Sequence, residues 1–63
     1  MNDDQLLLTV PEVAKVLRIG RNLAYELVAR GEIPCVRLGR MIRVPRSSLE
    51  RWLEREAGPA KLG

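Results

Sequence analysis

Seven arginines fall between residues 18 and 46: Arg18, Arg21, Arg30, Arg37, Arg40, Arg43 and Arg46. Only Glu26 and Glu32 oppose them, so this segment carries +5 in a chain whose net charge is +3. Residues 1–17 sum to −2 and residues 47–63 to zero. A guanidinium is a planar fork of donors that matches phosphate oxygens and guanine edges. The chemistry on offer is therefore recognition of a polyanion, not the making or breaking of bonds. The residues for other chemistries are missing. With no histidine and one cysteine, Cys35, histidine catalysis, the usual zinc sites and disulfides within the chain all fall away. At 63 residues a deep substrate cleft is also hard to build. A non-enzymatic protein without cofactor or metal is expected.

The length allows one domain, expected over residues 6–57, with a flexible N-terminus over 1–5 and a short flexible tail over 58–63. Thr9 and Glu12 have capping-box spacing, Leu8 and Val13 stand where a hydrophobic staple would be, and Pro11 suits a first turn. They predict a first helix ending near Leu17, with Val13, Ala14, Val16 and Leu17 as its buried stripe. After the tight connection Arg18-Ile19-Gly20, a second helix is predicted from about Arg21 to Arg30. Ala24, Leu27 and Val28 face inward and Gly31 is the stop. Glu26 and Arg30 form an i,i+4 pair in the favourable order. A last helix begins around Arg46 to Ser48, with Ser47 and Glu50 again at capping-box spacing. Leu49, Trp52 and Leu53 form its apolar face, and the core is the expected place for Trp52.

Between the second and last helices the periodicity changes. Val36 and Leu38, then Ile42 and Val44, alternate with Arg37 and Arg43, as in a half-buried hairpin. A two-residue turn at Gly39-Arg40 would mix apolar and charged residues on each face. A three-residue loop, Gly39-Arg40-Met41, pairs Leu38 with Ile42 and Val36 with Val44 and keeps one face apolar. That register is the expectation, and it sets Arg37 opposite Arg43 on the outer face with Arg40 at the tip. The fold class is mainly α with a small β-hairpin: helix–turn–helix, β-wing, third helix, a winged helix-turn-helix.

The segments Leu8-Thr9-Val10-Pro11-Glu12-Val13-Ala14-Lys15-Val16-Leu17, Arg21-Asn22-Leu23-Ala24-Tyr25-Glu26-Leu27-Val28 and Gly31-Glu32-Ile33-Pro34-Cys35-Val36-Arg37-Leu38-Gly39-Arg40 recur in order in a known pattern. So do Ile42-Arg43-Val44-Pro45 and Leu49-Glu50-Arg51-Trp52-Leu53. Together they resemble the excisionase family of DNA-binding domains, small MerR-like winged helix-turn-helix proteins of phages, prophages and mobile elements. The resemblance covers residues 6–54, and the hairpin followed by "LERWL" is its most specific part. It implies a recombination directionality factor that binds attachment-site DNA, often as side-by-side copies, bends it and helps an integrase excise the element. The alternative it implies is a small transcriptional regulator. The chain departs from the pattern at Gly20, where Ser or Thr is frequent, and at Leu23, where a small polar residue is usual.

The candidate DNA contacts follow. Arg21, at the start of the second helix, would read guanine or anchor a phosphate, and Asn22 would read adenine or help cap the helix. Leu23 is expected to join the core, with a thymine methyl as the alternative. Tyr25 would lay its ring on the scaffold and offer its hydroxyl to phosphate. Glu26 is expected to pair with Arg30. Arg37, Arg40 and Arg43 are the wing contacts, with Arg18 and Arg46 as further phosphate candidates. Cys35 is a small packing residue. The partner is double-stranded DNA, with an integrase and neighbouring copies as further partners. A different class of reading is an interaction module whose basic wing docks an acidic protein. Leu6-Leu7-Leu8 is too short for a signal-peptide core or a membrane span, so a soluble intracellular protein is expected; the resemblance implies a cytoplasmic, nucleoid-associated protein of a bacterial host.

Overall fold

The computed structural model describes residues 6–57. The expected flexible termini, 1–5 and 58–63, lie outside them. Six elements follow in order: β1 (Leu7–Leu8), α1 (Val10–Leu17), α2 (Arg21–Ala29), β2 (Val36–Leu38), β3 (Met41–Pro45) and α3 (Arg46–Glu56). The three helices and one small antiparallel sheet, in strand order β1-β3-β2, form a helix-turn-helix with the hairpin in the wing position. No described helix is long and apolar enough to cross a membrane.

The first helix starts as its sequence dictates. Thr9 Oγ1 accepts from the Glu12 backbone N–H at 3.2 Å, and Glu12 Oε1 accepts from the Thr9 N–H at 2.8 Å. Both helices of the helix-turn-helix end in the same Schellman arrangement. In α2 the Glu32 N–H reaches the Leu27 carbonyl and the Gly31 N–H reaches Val28, with Gly31 at φ 80°. In α1 the Ile19 N–H reaches the Ala14 carbonyl and the Arg18 N–H reaches Lys15, with Arg18 at φ 59°. The left-handed position that glycine fills in one helix is held by an arginine in the other.

Val13 of α1, Ile33 of the α2–β2 connection and Val44 of β3 are fully buried. Leu8, Val10, Ala14, Ala24, Val28 and Leu49 complete the buried cluster, against which Leu17, Ile19, Leu27, Ile42 and Trp52 pack. Three apolar assignments from periodicity change. Val16 is exposed, not buried, Leu53 is exposed, and Trp52 is half-buried at the rim of the core. For Trp52 and Leu53 the reason lies in α3, which meets the rest of the protein chiefly through β3. One strand is too narrow a support to cover a full apolar stripe, so Leu49 takes the buried place.

The hairpin register also differs from expectation. Val36 pairs with Arg43, Arg37 with Ile42 and Leu38 with Met41, so the turn is the two-residue Gly39-Arg40. Gly39 lies at φ 63° while Arg40 does not have positive φ, as a type II′ turn requires of its two central residues. The preference for one apolar face did not decide the register, because β2 is an exposed edge strand along its whole length. As a result Val36, Leu38 and Met41 share a face with Arg43, and Arg37 lies on the face of Ile42.

β1, which periodicity does not reveal, adds the third strand: Leu7 pairs with Pro45 and Leu8 with Val44. This pairing displaces the expected Ser47–Glu50 capping box. Pro45 is the N-cap of α3, with no side-chain cap bond, and the Arg46 N–H donates to the Leu6 carbonyl at 2.8 Å. A main-chain acceptor just before the first strand takes over the work of a capping side chain.

Thermal melts of three variants test this description. Ile33→Ala should cost about 2–5 kcal/mol, a large share of the stability of so small a domain, and abolish or strongly lower the cooperative thermal transition. Arg18→Gly should raise the melting temperature by a few degrees, because relieving a left-handed non-glycine residue recovers about 0.5–1 kcal/mol net of glycine's greater freedom in the unfolded chain. Gly31→Ala should lower it, although a Cβ there meets no atom within 4 Å. Strain, not collision, is then the cause.

Candidate nucleic-acid interface

The helix α2 points Ala24 and Val28 into the core, which leaves Arg21, Asn22, Leu23, Tyr25 and Glu26 exposed. Its N-cap is Gly20, which has no side chain with which to bond the first turn. The hairpin β2–β3 stands beside this helix, and two clefts run between them. The first, about 270 Å³, lies between the start of α1 at Thr9 and Pro11, Tyr25, and the wing tip at Arg40, Met41 and Arg43. The second, about 400 Å³, lies between Tyr25, Val28 and Ala29 on the helix and Cys35, Arg37 and Ile42 on the wing. Tyr25, half-exposed, is a wall of both. The helix and all three wing arginines therefore meet around one aromatic ring.

The arginines do not meet as the alternation suggested. Arg37 and Arg43 are not opposite one another; they project from opposite faces of the hairpin, because the register is offset by one residue. The like-charge repulsion that the expected pairing implied is absent. Arg43 is half-buried, with Nη1 donating to the Ile42 carbonyl at 2.9 Å and Nη2 to Met41 Sδ at 3.3 Å. Arg37 and Arg40 make no hydrogen bond or ion pair within the described residues. Their donors are left to solvent or to a partner.

Arg21 and Asn22 are exposed on the first turn of α2 and line neither cleft. Asn22 forms no capping hydrogen bond, so that alternative for its side chain is not realised. Arg18 sits in the turn between the helices, and Arg46 at the start of α3; neither borders the clefts. Leu23 is 44% exposed and is not a core residue, contrary to expectation. Ala24, Leu27 and Val28 already fill the space behind α2. Cys35, expected to pack, is exposed at the rim of the second cleft.

Arg30, the seventh arginine of the basic segment, is occupied. It pairs with Glu26 at 2.5 Å and with Glu32 at 3.2 Å. The hydrogen bond to Glu32, then the charge of Glu26, hold its pKa above the ordinary arginine value. Both carboxylates of the segment are thus gathered on one arginine, and from Ile33 to Leu49 the chain holds no acidic residue. The positive charge left unmatched belongs to the helix start and the wing. Thr9, Pro11 and Met41 were not anticipated as walls of the first cleft. The capping box marks Thr9 as a helix start, but nothing in sequence spacing places it beside the wing tip.

A helix-turn-helix domain family matches residues 7–57. An excisionase of Streptomyces ambofaciens is 32% identical over 54 residues, spanning 86% of this chain and 87% of that protein. The chain belongs to the excisionase-type helix-turn-helix family. Within it, a protein of Saccharopolyspora erythraea named a probable excisionase is 48% identical over 52 residues, 82% of this chain and 53% of that protein. A protein of Mycobacterium tuberculosis, provisionally named as DNA-binding, is 46% identical over 48 residues, 76% of this chain and 62% of that protein. The chain thus spans little more than half the length of these last two relatives. No solved structure matches the chain significantly.

The free and occupied arginines should separate in a salt titration of duplex binding. Each phosphate contact adds roughly 0.9 to the slope of log affinity against log salt. Arg37→Ala and Arg40→Ala should each flatten the slope by about one contact and weaken all sequences alike. Arg30→Ala, which removes a guanidinium already neutralised by two carboxylates, should leave the slope unchanged. Equal effects from all three would show that the clefts play no special part.

Proposed function

We propose that this protein is a sequence-specific double-stranded DNA-binding protein that acts as an excisionase. In this reading α2 enters the major groove and the wing arginines hold the adjoining backbone. The observation that carries it is that Arg37, Arg40 and Arg43, from a stretch (residues 33–49) that holds no carboxylate, line the two clefts bordered by Tyr25, beside the exposed first turn of α2. A surface of this composition attracts a polyanion along its length. Arg21 and Asn22 stand where an inserted helix presents its first residues to base edges. Tyr25 offers its hydroxyl to a phosphate between the two clefts. Arg18 and Arg46 supply flanking phosphate contacts.

The size of the module decides how it must work. A single small module buries roughly 600–1,000 Å² on DNA, so one copy binds modestly and loses affinity steeply with salt. Occupancy of a defined site then needs copies bound side by side, and such an array bends the attachment-site DNA into the form an integrase uses. The names of the relatives from Streptomyces ambofaciens and Saccharopolyspora erythraea support recombination as the setting.

Footprinting on DNA flanking the gene, followed by a bend-angle measurement and an excision assay with and without the protein, tests the proposal in stages. A protected site, a bend and stimulated excision are expected. Absence of any duplex association at about 100 mM salt would defeat the DNA-binding reading, since counterion release predicts binding with a steep salt slope. Binding without any change in excision would defeat the excisionase reading alone. Within the footprint, Arg21→Ala should relax sequence preference, whereas uniform weakening would assign Arg21 to the backbone.

A further inference from the structure

The first turn of α2 carries an apolar side chain that the fold does not use. Leu23 is 44% exposed, while Ala24 and Val28 are buried and Leu27 is half-buried behind it. A lone exposed leucine is common on protein surfaces, so its placement has to carry the argument. At 100° per residue, Leu23 and Tyr25 lie about 160° apart across the outer side of the helix, on either flank of an outward strip formed by Asn22 and Glu26. Tyr25 closes the strip on the wing side, where both clefts lie, and Leu23 closes it on the other. Glu26 is engaged by Arg30. The groups left to read bases near the helix start are therefore Arg21, Asn22 and Leu23.

In the major groove the edges of the four bases present donors, acceptors and one apolar group, the C5-methyl of thymine. A leucine cannot use a donor or an acceptor, and against either it would leave a polar group desolvated and unpaired. Against the methyl it gains the burial of two apolar surfaces. We propose that Leu23 is a specificity-determining residue that reads a thymine C5-methyl in the major groove. The proposal rests on the DNA-binding reading given above and names one element of its sequence preference. Because the contact is uncharged, it should contribute equally at low and high salt, unlike the arginines.

The probe is the footprinted duplex itself, with thymines replaced one at a time by deoxyuridine, which pairs identically but lacks the methyl. Removing the right methyl should weaken the wild-type protein about fourfold, the amount expected for one methyl-sized group returned to water. Leu23→Ala should bind the unmodified duplex more weakly by a similar factor, be insensitive to that same replacement, and keep the wild-type salt slope. Its thermal transition should match the wild type, since the side chain lies outside the core. Wild-type insensitivity to every replacement would overturn the proposal, as would Leu23→Ala remaining as sensitive as the wild type. If Leu23→Ala keeps its methyl sensitivity but loses cooperative filling of adjacent sites, the residue serves contact between copies and the proposal fails. Failure to bind any duplex would overturn both readings, whereas binding without methyl dependence overturns this one alone.

Discussion

The structure depends on β3 being shared. Its last two residues pair with β1, the fully buried Val44 with Leu8 and Pro45 with Leu7, while its first three pair with β2. One five-residue strand thus anchors the start of the domain, carries the wing and launches α3. Burial of Val44 against Val13 and Ile33 locks this strand to the helix-turn-helix. Without that lock the hairpin would be an isolated two-stranded ribbon, which is marginal in water. The position of the wing relative to α2, and with it every cleft contact, follows from this burial. Arginine chemistry supplies the surface, but apolar packing sets its geometry.

What the sequence makes legible is local chemistry. Thr9-Val10-Pro11-Glu12 fixes the start of α1 because capping-box donors and acceptors are satisfied within four residues. Gly31 fixes the end of α2 for the same local reason, a left-handed residue closing a Schellman pair. What it hides is set by distant partners. β1 has two residues, too few for any alternation, and exists only because β3 offers an edge. The Ser47–Glu50 spacing is a correct local signal overruled by the Leu6 carbonyl, which reaches the Arg46 N–H first. The hairpin register shows the failure most clearly. Parity is informative only where one face is buried, and β2 has no buried residue. The turn then decides, and Gly39 at positive φ favours the two-residue form.

The candidate site was legible in composition and less so in arrangement. The concentration of arginine and the wing follow from residue type and order; the place of Tyr25 between two clefts does not. The facing pair Arg37–Arg43 does not exist, and its absence makes the site broader. Arg43 lines the first cleft and Arg37 the second, with Tyr25 bordering both, so the charge is spread over two clefts where a facing pair would have concentrated it in one spot. On the DNA-binding proposal, that spread would follow a curved backbone. The same offset leaves Val36, Leu38 and Met41 exposed on the face that Arg43 shares.

Arg18 shows how stability and recognition divide the chain. Gly31 and Arg18 hold equivalent backbone positions at the ends of successive helices, and the fold would be served as well or better by glycine at both. The arginine introduces about 1–2 kcal/mol of left-handed strain into a domain with little stability to spare. Its side chain is exposed, so nothing in the packing compensates. On the DNA-binding proposal, a phosphate at the turn between the two helices would supply the compensating interaction, the strain being present in the free protein and the attraction only in the proposed complex. A small module can carry this burden because its core, built on Val13, Ile33 and Val44, lies elsewhere and uses no arginine at all.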